Sequence, residues 1–170
     1  MHSGLPALNK PKLYGNALYQ ETLNKYTPIE KHHYFVGMNS LIDDSTLKFG
    51  AFNLHFKWIQ GHVPCGMFTI IDEKYIHVAD DVMESNDGRP ILPSVHVNNA
   101  QAHIESLELL KTYSSYTLLL SHGNAIVGKS KILEGIKQRQ TYLKAIVCNS
   151  ELITIEQALV YCDYDFLHKD

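Results

Sequence analysis

Gly61-His62-Val63-Pro64, Ala79-Asp80 and Leu120-Ser121-His122-Gly123 are the three stretches that decide how this chain is read. Each sets an imidazole or a carboxylate just past the end of an apolar, β-type run. There the backbone ladder stops, and a side chain can lean into a cleft instead of a core. Zinc in a hydrolytic site takes imidazole and carboxylate ligands and keeps one position open for water. His62, Asp80 and His122 supply two imidazoles and one carboxylate, and they converge if the strand ends share one edge of a sheet. Singly, each has a plainer reading as a turn histidine, a solvated turn acid or a polar stop. Together, in register with the apolar pattern, they read as a site.

Around these stretches the elements follow from periodicity. Residues 3–15 carry Gly4, Pro6, Pro11 and Gly15 and read as loop. Asn16 caps a helix to about Lys25. Thr46 to Ile59, entered by a turn at Gly50, alternates with Phe52, Leu54, Phe56 and Trp58 on one face and Asn53, His55 and Lys57 on the other. That pattern faces His55 to solvent. Met67–Ile71 and Tyr75–Ala79 flank Asp72-Glu73-Lys74 as a hairpin, with His77 as a structural side chain of its second strand. Glu84 to Pro93 is a polar loop. Asn98 or Asn99 caps a helix whose buried stripe is Ala100, Ile104, Leu107 and Leu110, with His103 partly buried on its flank. Tyr116 to Leu120 is a short buried strand delivering His122. A helix opening at Ser130 buries Ile132, Ile136, Leu143 and Ile146, and Arg139 on the same line needs a partner or snorkels to an edge. Thr154-x-x-Gln157 forms a capping box for a last helix to about Cys162. Strands followed by helices, with no internal repeat, predict an α+β fold in two layers: a mixed or antiparallel sheet with helices on one face.

The totals exclude several classes. At 170 residues, 45% hydrophobic and 19% charged, the chain makes one globular domain spanning 1–170. A formal charge of −3 without a Lys/Arg run points away from nucleic acid and from anionic membranes, toward a small-molecule substrate. Cys65, Cys148 and Cys162 form neither a CxxC nor a disulfide framework, which suits a reducing cytoplasm. Neither a signal sequence nor a membrane-spanning run is present.

In order and context the three stretches resemble the second half of a metallo-β-lactamase-fold hydrolase, whose pattern runs GH(T/S)PG, then GD after a hydrophobic strand, then GHG. Ile42-Asp43-Asp44 to Phe56, Asn99 to Leu110 and Ile136-x-x-Arg139-x-x-Tyr142 are similar to the intervening family segments, so the resemblance covers about His2 to Ala158. It implies the C-terminal half of an αββα sandwich, a partial domain. The family's HxHxDH is absent. Met1-His2-Ser3-Gly4-Leu5-Pro6 resembles the tail of (D)HSGGLP and adds His2 as a ligand. The resemblance thus implies His2, His62, Asp80 and His122 as metal ligands, Asp80 and His122 as catalytic groups, and one or two zinc ions held weakly. It implies hydrolysis of a small ester, lactone or thioester, in the style of lactonases and hydroxyacylglutathione hydrolases. Cys65 stands where the family has Gly, so a left-handed turn is expected there or at Gly66. The alternative reading is a truncated, non-catalytic module that associates with itself or with a separate N-terminal half, because half a sandwich exposes a sheet face. A shortened reading frame is a third reading.

Overall fold

The computed structural model describes residues 12–38, 40–42, 44–94, 99–149 and 153–167. The expected loop over 3–11, His2, Asp43 and the alternative cap Asn98 lie outside the described residues. In chain order the elements are β1 (Tyr14–Gly15), α1 (Tyr19–Tyr26), β2 (Ser40–Leu41), β3 (Thr46–Phe49), β4 (Phe52–Trp58), β5 (Met67–Ile71), β6 (Tyr75–His77), α2 (Ala100–Leu110), β7 (Thr117–Leu119), α3 (Lys129–Cys148) and α4 (Ile155–Leu159).

β3 to β7 form one five-stranded sheet in sequence order. Its first three pairings are antiparallel and the last, β6 with β7, is parallel. The mixed α+β architecture is therefore the one expected from the pattern. Two tight turns build the antiparallel part. Gly50, at φ +59, turns β3 into β4, and Asp72 and Glu73 both hold positive φ between β5 and β6. Two central residues at positive φ make a turn whose twist matches that of the strands it joins. Asp72 also accepts the backbone N–H of Asn53 at 2.8 Å, tying this turn to β4. Between β6 and β7 the chain crosses through α2, as a parallel pair requires.

The side-chain period of two splits the sheet into unlike faces. Phe68, Ile70, Ile76 and Leu118 point to one face and are almost wholly buried against Ile104, Leu107 and Leu110 of α2 and Ile132, Ile136 and Leu143 of α3. The opposite face carries Phe52, Leu54, Phe56 and Trp58, which the alternation marks for burial. Only Phe56 is buried; Phe49, Phe52 and Trp58 keep 67%, 52% and 37% of their surface exposed. Alternation records which side chains share a face, but it does not record whether a second layer covers them. His55 is exposed, as its pattern indicates.

Local signals hold with small shifts. The Thr154 and Gln157 capping box is formed in both directions, but α4 ends at Leu159 and not near Cys162. Helix α1 begins at Tyr19, because Asn16 spends its side chain on the Leu18 N–H at 2.7 Å in a turn ahead of the helix. Among the described residues no helix is long and apolar enough to cross a membrane.

Because Phe68 fills the sheet–helix interface and Phe52 faces outward, the two substitutions separate cleanly. Phe68→Ala is expected to cost about 3–5 kcal/mol, and Phe52→Ala about 0.5 kcal/mol or less, in urea denaturation.

Candidate functional site

All three motif stretches meet at the segment that follows β6. Val78 is still bonded to β7, its N–H donating to the Leu119 carbonyl at 3.1 Å. The chain then turns through Ala79, which holds φ +49. A left-handed alanine is strained on the order of 1 kcal/mol. The turn projects Asp80 outward and Asp81 inward.

Asp80 and His122 come together at the ends of β6 and β7. His122 Nε2 lies 3.8 Å from Asp80 Oδ1, with the side chains 62% and 35% exposed respectively. This brings the two side chains side by side, at a distance too long for a hydrogen bond. The loops are pinned as well as adjacent: the Glu84 N–H donates to the His122 carbonyl at 3.1 Å. Gly123, at φ +97, lies so close to Glu84 that a Cβ would fall 2.5 Å from its carbonyl oxygen. The glycine of the His-Gly pair is thus demanded twice, by conformation and by space.

His62 joins from the other side. Its backbone N–H donates to Asp81 Oδ1 at 2.9 Å, and a Cβ on Gly61 would land on that same carboxylate. Asp81 is only 2% exposed and also accepts from the Ser106 hydroxyl of α2. His103, fully buried on α2, donates its Nε2–H to the Asp81 carbonyl at 3.0 Å. The pattern places His103 on the flank of the buried stripe; it lies inside it. The Nδ1 atoms of both His62 and His103 are buried without a hydrogen-bond partner among the described residues.

Arg139 supports the same segment from below. It is 1% exposed, donates from Nη2 to the Met83 carbonyl at 2.8 Å and from Nη1 to Gly135 at 3.0 Å, and stacks over Phe166. Burial lowers its pKa to about 10, against the opposing pull of Glu84. It is partnered, not snorkelled. Asp81, Ser106 and His103 are the residues that sequence reasoning passed over as functional supports. Their signal was the Asp-Asp doublet together with two polar residues, at i and i+3, on the apolar side of α2.

The donor types suit zinc, but the number among the described residues does not. Asp80 and His122 are two donors where a zinc site takes three from the protein, and no group of three or more His, Cys, Asp or Glu side chains is arranged for a metal ion among the described residues. His2 lies outside them. Cys65 and Gly66 both lack the left-handed conformation expected of one of them. The surroundings of Gly66 are tight, since a Cβ would sit 3.1 Å from the Val63 carbonyl oxygen and 3.3 Å from Ile59.

Comparison with known proteins finds no matching family model and no curated protein similar in sequence. Solved structures do match. A metallo-β-lactamase superfamily protein from the archaeon Sulfolobus tokodaii superposes with a TM-score of 0.58 at 13% identity, over 91% of this chain and 74% of that one. The sec-alkyl sulfatase PisA1 of a Pseudomonas species, solved as a double mutant, gives 0.62 at 13%, over 96% of this chain and 33% of that one. A metallo-β-lactamase family protein from Thermus thermophilus gives 0.52 at 17%, over 78% and 49%. The chain spans half or less of the length of the last two. It carries part of the metallo-β-lactamase fold.

Two outcomes test this geometry. Ala79→Gly is expected to leave stability unchanged or raise it by up to about 1 kcal/mol, whereas Gly123→Ala should cost about 2 kcal/mol, both read from chemical denaturation. Burial holds the His103 pKa below its ordinary value, against the opposing pull of Asp81 and with small contributions from His62 and Arg139. The unfolded chain takes up a proton near pH 6.5 and the folded one does not. The contribution is therefore intact above about pH 7 and is lost as the pH falls from about 6.5 toward the lower native pKa. His103→Gln, which keeps a donor for Asp81, should flatten that slope.

Proposed function

We propose that the chain is a hydrolase of this fold, or the C-terminal part of one, acting on a small ester, lactone or thioester with Asp80 and His122 as its reactive groups. The observation that supports this reading is their approach to 3.8 Å at the adjoining ends of β6 and β7, on loops locked to residues 81–84. In open sheets, ligands bind beyond the carboxyl ends of parallel strands, and β6 and β7 are the parallel pair. There the His122 and Asp80 side chains reach solvent beyond the strand ends, 62% and 35% exposed, on the side from which a substrate would enter. Asp81 and Arg139 hold the loop that carries Asp80, so the pair meets substrate in a fixed arrangement.

Zinc is the ion these donors suit, one or two per chain, and when bound it would act as a Lewis acid toward the scissile carbonyl. Asp80, His122 and His2 would hold one ion, and His62 with a share of Asp80 a second. With two donors meeting among the described residues, binding is weak or conditional. Calorimetric titration with zinc is expected to give low affinity, and His122→Ala should weaken it at least about tenfold, or 1.4 kcal/mol. An unchanged affinity in that variant overturns the assignment.

A second reading has its own support. Phe49, Phe52 and Trp58 are exposed on the sheet face away from the helices, and an uncovered apolar face favours association. On this reading the chain is a non-catalytic module that pairs with itself or with a separate N-terminal half. A monomeric mass in light scattering, for the purified chain alone, argues against self-pairing.

A further inference from the structure

Among the described residues Arg139 is the largest side chain that is almost wholly buried, and one of its donors is left over. Nη2 and Nη1 bond the Met83 and Gly135 carbonyls, but Nε lies buried without a partner among the described residues. Glu84 is the carboxylate that opposes the effect of burial on Arg139. It meets Lys131 at 3.8 Å, yet no hydrogen bond or ion pair among the described residues joins it to Arg139. We propose that one water molecule sits between Arg139 and Glu84 as a fixed part of the fold, accepting the Nε–H and donating to the carboxylate.

Both groups line one small cavity, whose other walls include Val82, Leu118, Ile132 and Tyr164. It leaves about 10 Å³ for the centre of a water molecule, which is room for one and no more. An apolar cavity stays dry, whereas one with polar walls takes a water that fills their missing bonds. Charge then selects the occupant. A small anion held by Arg139 is repelled by Glu84, and a small cation held by Glu84 is repelled by Arg139. Water is neutral and performs both tasks, accepting through its oxygen while donating through a hydrogen. The Tyr164 hydroxyl shares the field of both charges: burial and Glu134 raise its pKa, Arg139 lowers it and Glu84 raises it. The two charges and this hydroxyl therefore converge on one space.

The consequence is a second tie between α3 and the loop after β6. Arg139 holds the Met83 carbonyl directly, and through the water it also holds the side chain of the next residue. A buried N–H without a bond and a carboxylate without a donor at hydrogen-bond distance are satisfied together by one molecule. Its lost freedom is a small cost beside two unfilled polar groups. The site is independent of any reaction at the ends of β6 and β7.

The test uses the whole 170-residue protein, crystallised in bromide and, isotope-labelled, examined in solution by water-selective nuclear Overhauser spectroscopy. The crystal should show one ordered peak without anomalous signal, about 2.7–3.2 Å from Arg139 Nε and within the same range of a Glu84 carboxylate oxygen. In solution the Arg139 Nε–H should give a cross-peak to water. A neighbouring hydroxyl in exchange with solvent imitates that signal, so the cross-peak should persist in Tyr164→Phe, a half-buried position where only the hydroxyl is removed. A cavity without density, an Nε–H bonded directly to Glu84, an anomalous bromide peak in the cavity, or a cross-peak lost in Tyr164→Phe overturns the proposal.

Discussion

A single buried carboxylate organises the sheet edge where β6 and β7 end. Asp81 is 2% exposed and accepts from the His62 backbone and from Ser106, while its own carbonyl takes the Nε2–H of His103. A carboxylate withdrawn from water is costly unless its lone pairs are filled, so it fixes its donors as firmly as they fix it. Helix α2, the Gly61-His62 loop and the turn carrying Asp80 are thereby held as one unit. Losing either of the two donors to the carboxylate leaves it short of a partner, and the cost falls on the loops rather than on the sheet.

A second buried charge completes the support from the opposite side. Arg139 comes from α3, reaches across to the Met83 carbonyl and leaves its Nε without a partner among the described residues. A helix that already covers the sheet thus also clamps the end of the loop that follows β6. Glu84, 6% exposed, offsets this charge and meets Lys131 at 3.8 Å. The loop from Asp80 to Glu84 is therefore anchored at both ends by charged groups that the solvent does not reach. Half-buried Asp80 and exposed His122 stand on this anchored base.

Much of this was legible in the order of residues. The strand alternation, the Asp72-Glu73 turn, the capping box at Thr154 and the apolar stripes of α2 and α3 are local patterns, and each formed where its chemistry required. The meeting of Asp80 with His122 was legible only because both follow strands. What the order could not show is long-range. Whether Phe52 and Trp58 are covered depends on a second layer, and whether Asp81 is solvated or buried depends on α2 closing over it. The left-handed turn expected at Cys65 or Gly66 was misplaced for a similar reason. The conformation that favours glycine lies at residue 79, where alanine stands, and at Gly66 the backbone is not left-handed but the surroundings are tight.

Among the described residues, strand β3 ends the sheet with one side of its backbone unpaired, and the aromatic pair Phe49 and Phe52 sits where it turns into β4. An open row of amides and carbonyls beside exposed aromatic rings is a template for addition of foreign strands. Natural sheets blunt such borders by keeping them short and charged. Here the border is four residues long and carries one ammonium group, on Lys48. What guards this border against added strands is the brevity of the strand and a single repelling side chain.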